Sequence, residues 1–170
     1  MMRSLQLCIK RGFDIVLSVF LIVMMIVIPV LIVIPVVIRM TSKGPAVFTQ
    51  DRVGKDGKVF KIYKFRTMLI PEESYDADGN MLQPKQRITK VGAFLRKTSL
   101  DELMQVFNVL NGTMSFVGPR PTLPYQVERY NERQKRRHEM RPGITGWAQV
   151  NGRNDLAWGE KIEGSEEHTV

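Results

Sequence analysis

The run from Ile15 to Ile38, IVLSVFLIVMMIVIPVLIVIPVVI, carries no charge over 24 residues. As a straight helix it would reach about 36 Å, enough to cross a hydrocarbon core of about 30 Å. It is too long for the apolar core of a cleaved leader, and no small-x-small site follows it. An ordinary membrane span is the simplest reading. Two features argue against a straight one. Pro29 and Pro35 lie inside the run, and each removes a helical hydrogen bond and bends the axis. The flanks are basic on both sides: Arg3, Lys10 and Arg11 before the run, Arg39, Lys43, Arg52 and Lys55 after it. Such flanks favour the cytoplasmic face. A helix that enters, breaks near Pro29 and returns would put both there. Its first arm, Ile15 to Ile28, is about 21 Å long, too short to cross. On these grounds spanning and re-entrant forms both stay open.

Beyond Arg39 the chain is polar and basic. Its 170 residues suffice for one modest domain. A net charge of +8 points to an anionic partner: phosphate, nucleic acid or a lipid surface. Cys8 is the one cysteine, so a disulfide-stapled scaffold is excluded, and a reducing compartment fits.

VFTQDRVGKDGKVFKIYKF reads as two short strands, with Asp56-Gly57 as a hairpin turn. Lys61, Lys64 and Arg66 space positive charge along the second strand. A solvated strand face is the commoner arrangement, but three cations converging on one edge would suit a phosphate. PEESYDADGNMLQPKQ reads as a mobile polar loop, and RITKVGAFLRKT as a short helix with a basic face.

The stretch RKTSLDELMQVFNVLNG places two adjacent carboxylates, Asp101 and Glu102, in a basic chain. Ser99 and Glu102 fit the capping box S-x-x-E, with Leu100, Leu103, Val106, Phe107 and Leu110 as the core face of a helix ended by Asn111-Gly112. Capping is the commoner role for such a pair. The chemistry also allows another: a helix N-terminus would keep Asp101 ionised, and an ionised carboxylate can attack phosphorus or hold magnesium.

In MSFVGPRPTLP, Pro119 and Pro121 bracket Arg120 and present it on a stiff loop, either as a structural turn or as a bidentate phosphate ligand. YQVERYNERQKRRHEM reads as a charged helix. Its basic run, Arg133 to Arg141, is a solvated face or a surface for anionic headgroups. His138 has no metal-ligand spacing. The glycines of RPGITGW and NGR would let backbone approach a ligand closely.

Taken together, KRGFD, VFKIYKFRTM, RKTSLDEL, FNVLNGTMSFVGPRP and RPGITGWAQVNGR resemble the bacterial sugar transferases, the monotopic polyprenol-phosphate phosphoglycosyl transferases. The resemblance runs from about Lys10 to Trp158 and looks most like the minimal catalytic-domain form. It implies an α+β, mainly helical fold. A re-entrant helix-break-helix segment over residues 1–40, broken at Pro29, would anchor a small cytoplasmic catalytic domain with a short β-hairpin over 41–170. It implies a catalytic dyad on Asp101 and Glu102, with Asp101 as nucleophile and magnesium ligand. Lys64 and Arg120 fall on positions suited to phosphate charge, and Arg66, Arg96 and Arg153 complete the expected phosphate-binding set. The implied cofactor is Mg2+. The implied partners are a UDP-sugar donor, a polyprenyl phosphate acceptor, the phospholipid membrane and downstream glycosyltransferases, with no nucleic acid. The implied place is the cytoplasmic face of the bacterial inner membrane.

Three positions depart from the family's pattern: Met104 where proline is usual, Thr113 where an acid is common, and the tail GEKIEGSEEHTV after Trp158. Two other readings draw on the same sequence. A membrane-tethered nucleic-acid-binding protein would use the +8 charge, without any recognised nucleic-acid motif. An inactive scaffold would explain the tail.

Overall fold

A computed structural model of the protein describes residues 2–150. The apolar run forms two helices, α1 (Met2–Val27) and α2 (Val30–Thr41). The break falls at Ile28-Pro29, and the two axes diverge by 59°. Pro35 sits inside α2 without ending it. Among the described residues no single helix is long and apolar enough to cross a membrane; the bent pair passes by length and composition.

The strands β1 (Val47–Val53) and β2 (Val59–Phe65) pair as a hairpin. Asp56 (φ 56°) and Gly57 (φ 72°) turn it with two successive left-handed residues, the combination a tight two-residue turn demands. Helix α3 (Lys90–Thr98) follows, with Thr89 as its N-cap. A single turn, Leu100–Glu102, leads to α4 (Gln105–Leu110) and β3 (Ser115–Val117). The short helices α5 (Pro124–Val127) and α6 (Glu132–Lys135), a turn at Arg136–Glu139, β4 (Gly143–Thr145) and α7 (Trp147–Val150) complete the order. Strand β4 pairs parallel with β3, Ser115 opposite Gly143 and Val117 opposite Thr145. About half of the structure is helical, as the α+β reading expects.

Four expectations change. The capping box does not form: Ser99 takes a left-handed conformation (φ 59°) and makes no side-chain cap bond, while Glu102 reaches Lys64 instead. Because the chain turns at Ser99 and again after Glu102, helix α4 starts only at Gln105. Its buried positions are therefore Gln105, Val106, Asn108 and Val109, and Leu110 is exposed. The charged helix after Tyr125 splits into α5, α6 and the turn beyond. The loop from Pro71 is a chain of turns rather than open coil: Asp76 Oδ1 accepts from the N–H groups of Asp78 and Asn80, and Tyr75 bridges Met81.

The chain divides into two compact units. The first takes residues up to 21, 50–62 and 105 onward; the second takes 22–49 and 63–104. In the first, Ile62, Val109 and Met114 form a core with Phe60, Phe116 and Ile144. Its part of α1 is inside-out. Asp14 and Ser18 are buried, whereas Leu5, Ile9, Phe13, Val16 and Phe20 are each more than half exposed. In the second unit, Ile38, Ala46, Phe65 and Leu95 form the core, and Leu31 and Ile34 of α2 pack on it. The opposite face of α2 leaves Ile32, Val33 and Val36 exposed. Leaving such side chains in water forgoes about 1.5–3 kcal/mol each.

Candidate active site

Asp101 and Glu102 lie on the turn Leu100–Glu102 of the second unit. Three long-range features place that turn. Leu100 and Leu103 pack on the core beside it. Helix α3 reaches the end of β2 because position 92 is glycine: a Cβ there would lie 2.0 Å from the Thr67 carbonyl oxygen. Thr67 in turn accepts from Arg96 Nε through its hydroxyl at 2.9 Å.

Glu102 Oε1 receives Lys64 Nζ at 2.7 Å, and both side chains are largely buried. Asp101 is 9% exposed. Burial pushes its carboxyl above the ordinary aspartate range; the Lys64 ammonium opposes this, Glu102 adds to it, and Arg96 and the residue's own backbone N–H oppose it. The direction is opposite to the one a helix N-terminus would give. One turn supplies little dipole, and desolvation wins. Lys64, Arg96, Asp101 and Glu102 thus come together in one unit.

Arg66 belongs to the same unit, but its guanidinium is spent elsewhere. It is 6% exposed and donates to the carbonyls of Ser42 and Lys43 and to the Ser42 hydroxyl, closing the C-terminus of α2. Lys61 pairs with Asp51 at 3.0 Å on the surface. Lys61, Lys64 and Arg66, expected to share a phosphate, therefore each have a separate partner within the protein.

Arg120 belongs to the first unit and is exposed. Its loop is held at four consecutive carbonyls. Pro119 accepts from Gly143 N–H at 3.0 Å, Arg120 from Arg137 Nη2 at 3.1 Å, Pro121 from Arg52 Nη1 at 3.2 Å and Thr122 from Val53 N–H at 2.9 Å. The glycines nearby serve close backbone contact: a Cβ on Gly143 would lie 2.2 Å from Gly118 N, and one on Gly146 2.2 Å from Gly118 O. Gly152 and Arg153 lie outside the described residues.

A sequence profile described as bacterial sugar transferase matches residues 5–167. The chain belongs to the bacterial sugar transferase family. The match runs past Trp158, where the tail was expected to leave the family's pattern. An uncharacterized sugar transferase, EpsL, of Bacillus subtilis is 48% identical over 91% of this chain and 74% of its own length. The UDP-glucose:undecaprenyl-phosphate glucose-1-phosphate transferase of Escherichia coli is 45% identical over 91% of this chain. A UDP-N-acetylgalactosamine-undecaprenyl-phosphate N-acetylgalactosaminephosphotransferase of Aeromonas hydrophila is 45% identical over 84% of it. The chain covers 34% of the length of each of these two.

Several residues of this family member escaped the sequence reading. Arg137, placed on a solvated face, is 4% exposed, lies over the Tyr130 ring at 5.8 Å and holds the Arg120 carbonyl. His138 is half-buried, stacks on Tyr130 and contacts the Gly54 carbonyl through Nδ1. Burial first, and then Arg137, lower its pKa. Asp14, quoted within KRGFD but given no role of its own, is 3% exposed. Besides that motif, the signal was a carboxylate set directly against an apolar run, where ionisable groups are costly.

Proposed function

We propose that this protein transfers a sugar 1-phosphate from a UDP-sugar to a polyprenyl phosphate, through a covalent phosphosugar on Asp101. The observation that carries this is the buried Asp101–Glu102 pair, flanked by Lys64 and Arg96, in a family whose similar members are named as undecaprenyl-phosphate sugar phosphotransferases. In the first step an Asp101 carboxylate oxygen attacks the phosphorus that bears the sugar. The bond from that phosphorus to the bridging oxygen breaks, and UMP leaves. In the second step a phosphate oxygen of the lipid attacks the same phosphorus, the aspartyl–phosphorus bond breaks, and the carboxylate is restored.

Burial suits Asp101 to the first step, because a more basic carboxylate is the stronger nucleophile and water is kept from the acyl phosphate. Lys64 holds Glu102 and, with Arg96, offers positive charge to the donor's phosphates, and Arg120 is read as a phosphate ligand in its own right. The donor set fits magnesium. No group of three or more acidic, histidine or cysteine side chains that could hold a metal occurs among the described residues. One or two carboxylates completed by substrate phosphates are what magnesium commonly takes. Asp101 would hold the ion with help from Glu102, and the ion would neutralise phosphate charge.

The outward apolar faces of α1 and α2 suit a re-entrant anchor, residues 1–40, seated from the cytoplasmic face of the bacterial inner membrane, with 41–170 as the catalytic part. The reaction would open glycoconjugate assembly and hand its product to downstream glycosyltransferases.

A panel of UDP-sugars with undecaprenyl phosphate, read as UMP release, tests the reading. One sugar should give UMP, and intact mass without lipid should show one added sugar phosphate on the wild type and none on Asp101→Asn. Absence of UMP with every sugar, under lipid conditions that support a related enzyme, would favour the scaffold or the nucleic-acid-binding reading. Cysteine labelling near Met2 and Ser42 tests the anchor: both sites should label from one side, and labelling from opposite sides would establish a span.

A further inference from the structure

We propose that Asp14 is a positioning residue for Arg120, acting through strand β3. The inference rests on the reading of Arg120 as a phosphate ligand. Asp14 Oδ2 accepts from the Ser115 hydroxyl at 2.8 Å, and Oδ1 accepts from Phe116 N–H at 3.2 Å. One helical turn earlier, Lys10 Nζ donates to that same hydroxyl and to the Val117 carbonyl, the latter at 2.8 Å. Three successive residues of β3 are thereby gripped by one face of α1. The partner strand grips β3 as well: Ser115 N–H donates to the Pro142 carbonyl and Gly118 N–H to that of Thr145, each at 2.9 Å. Strand β3 runs straight into Gly118-Pro119-Arg120, so its placement sets where Arg120 starts.

A simple anchor for α1 would not need Asp14. Arg11 already ties this helix to the last carbonyls of α4, those of Val109 and Leu110. Burying a carboxylate also costs more than burying an apolar side chain of the same size. What Asp14 adds is address. Two donors converge on it, the Phe116 N–H and a serine hydroxyl whose lone pair already serves Lys10. Only a group that accepts at both oxygens satisfies both. An asparagine would turn an NH2 toward one of them.

The test is a double-mutant cycle of Asp14→Asn and Arg120→Ala, read as kcat/KM with the UDP-sugar that gives UMP, alongside melting temperatures. Asp14→Asn alone should lower kcat/KM about 10- to 100-fold, the scale of a small misplacement of a reacting group. In the Arg120→Ala background it should cost less than about twofold, while its effect on the melting temperature stays the same in both backgrounds. Should Asp14→Asn fail to fold, Ser115→Ala, which leaves the Phe116 bond in place, carries the same cycle with a smaller first effect. If the two losses multiply, Asp14 is an anchor only and the inference is overturned, while the reading of Arg120 stands. If Arg120→Ala is itself as active as the wild type, that reading fails and the inference falls with it.

Discussion

The turn that carries Asp101 and the loop that carries Arg120 present opposite charges and are built in opposite ways. The turn is held by its own backbone: Ser99 N–H to the Arg96 carbonyl at 3.3 Å, Glu102 N–H to Ser99 and Leu103 N–H to Leu100, each at 3.2 Å. The loop makes bonds almost wholly to distant residues, with four donors from β1, the turn at Arg136–Glu139 and β4. On the proposed mechanism, the difference follows from what each side chain would be asked to do. A cation that waits for a phosphate works best when it is already in place, since binding then loses less in ordering it. A carboxylate that becomes covalently linked, and is then released, changes its bonding twice, and a short local turn can follow it. The turn, unlike the loop, also contains a non-glycine residue in the left-handed region, Ser99, two residues before Asp101.

The largest expected effect falls on the turn. Asp101→Asn should lose turnover by orders of magnitude while remaining folded. It should also melt higher than the wild type at pH 7. A carboxyl whose folded pKa is raised stabilises fully below its unfolded value, about 3.9, and that contribution is lost as pH rises through the folded value. The gain in melting temperature of Asp101→Asn should therefore shrink as the pH falls toward 4. A variant that melts lower at pH 7 would mean that Asp101 is a structural acceptor, not a strained acid.

Next comes the loop. Gly143→Ala pushes a methyl group into the backbone of Gly118 and should cost roughly 2–4 kcal/mol in denaturant unfolding. It should also lower kcat, because the loop cannot shift without moving Arg120. A stable Gly143→Ala with full activity would show that the loop has slack and would remove the contrast.

The Lys64–Glu102 pair is smaller in effect on stability. Lys64→Met removes the ammonium that neutralises a largely buried carboxylate and should cost about 2 kcal/mol. Adding Glu102→Gln should restore part of that stability but none of the activity. If the double variant is no more stable than Lys64→Met, the pair is not what makes that substitution costly. The smallest effect is expected from Ser99→Gly. It relieves a left-handed serine worth about 1 kcal/mol and should leave stability equal or slightly higher. A clear loss would mean that the serine side chain holds the turn.

What the sequence determined by itself is local. The break at Pro29, the Asp56-Gly57 turn and the end of α4 at Asn111-Gly112 follow from ring closure and left-handed backbone, which act within a few residues. The acidic pair was visible because two neighbouring carboxylates are a local fact. Tertiary structure decided the partners of the buried charged side chains. Arg66 goes to the carbonyls of Ser42 and Lys43, Arg137 to that of Arg120, and Asp14 to a strand about a hundred residues away. It also reversed the direction of the pKa shift expected for Asp101, through burial that no neighbouring residue reveals. The physical reason is common to all of them. A charge is satisfied by whatever polar groups folding brings within hydrogen-bond reach, and is perturbed by how much water folding removes. Both are set by the packing of segments far apart in the chain.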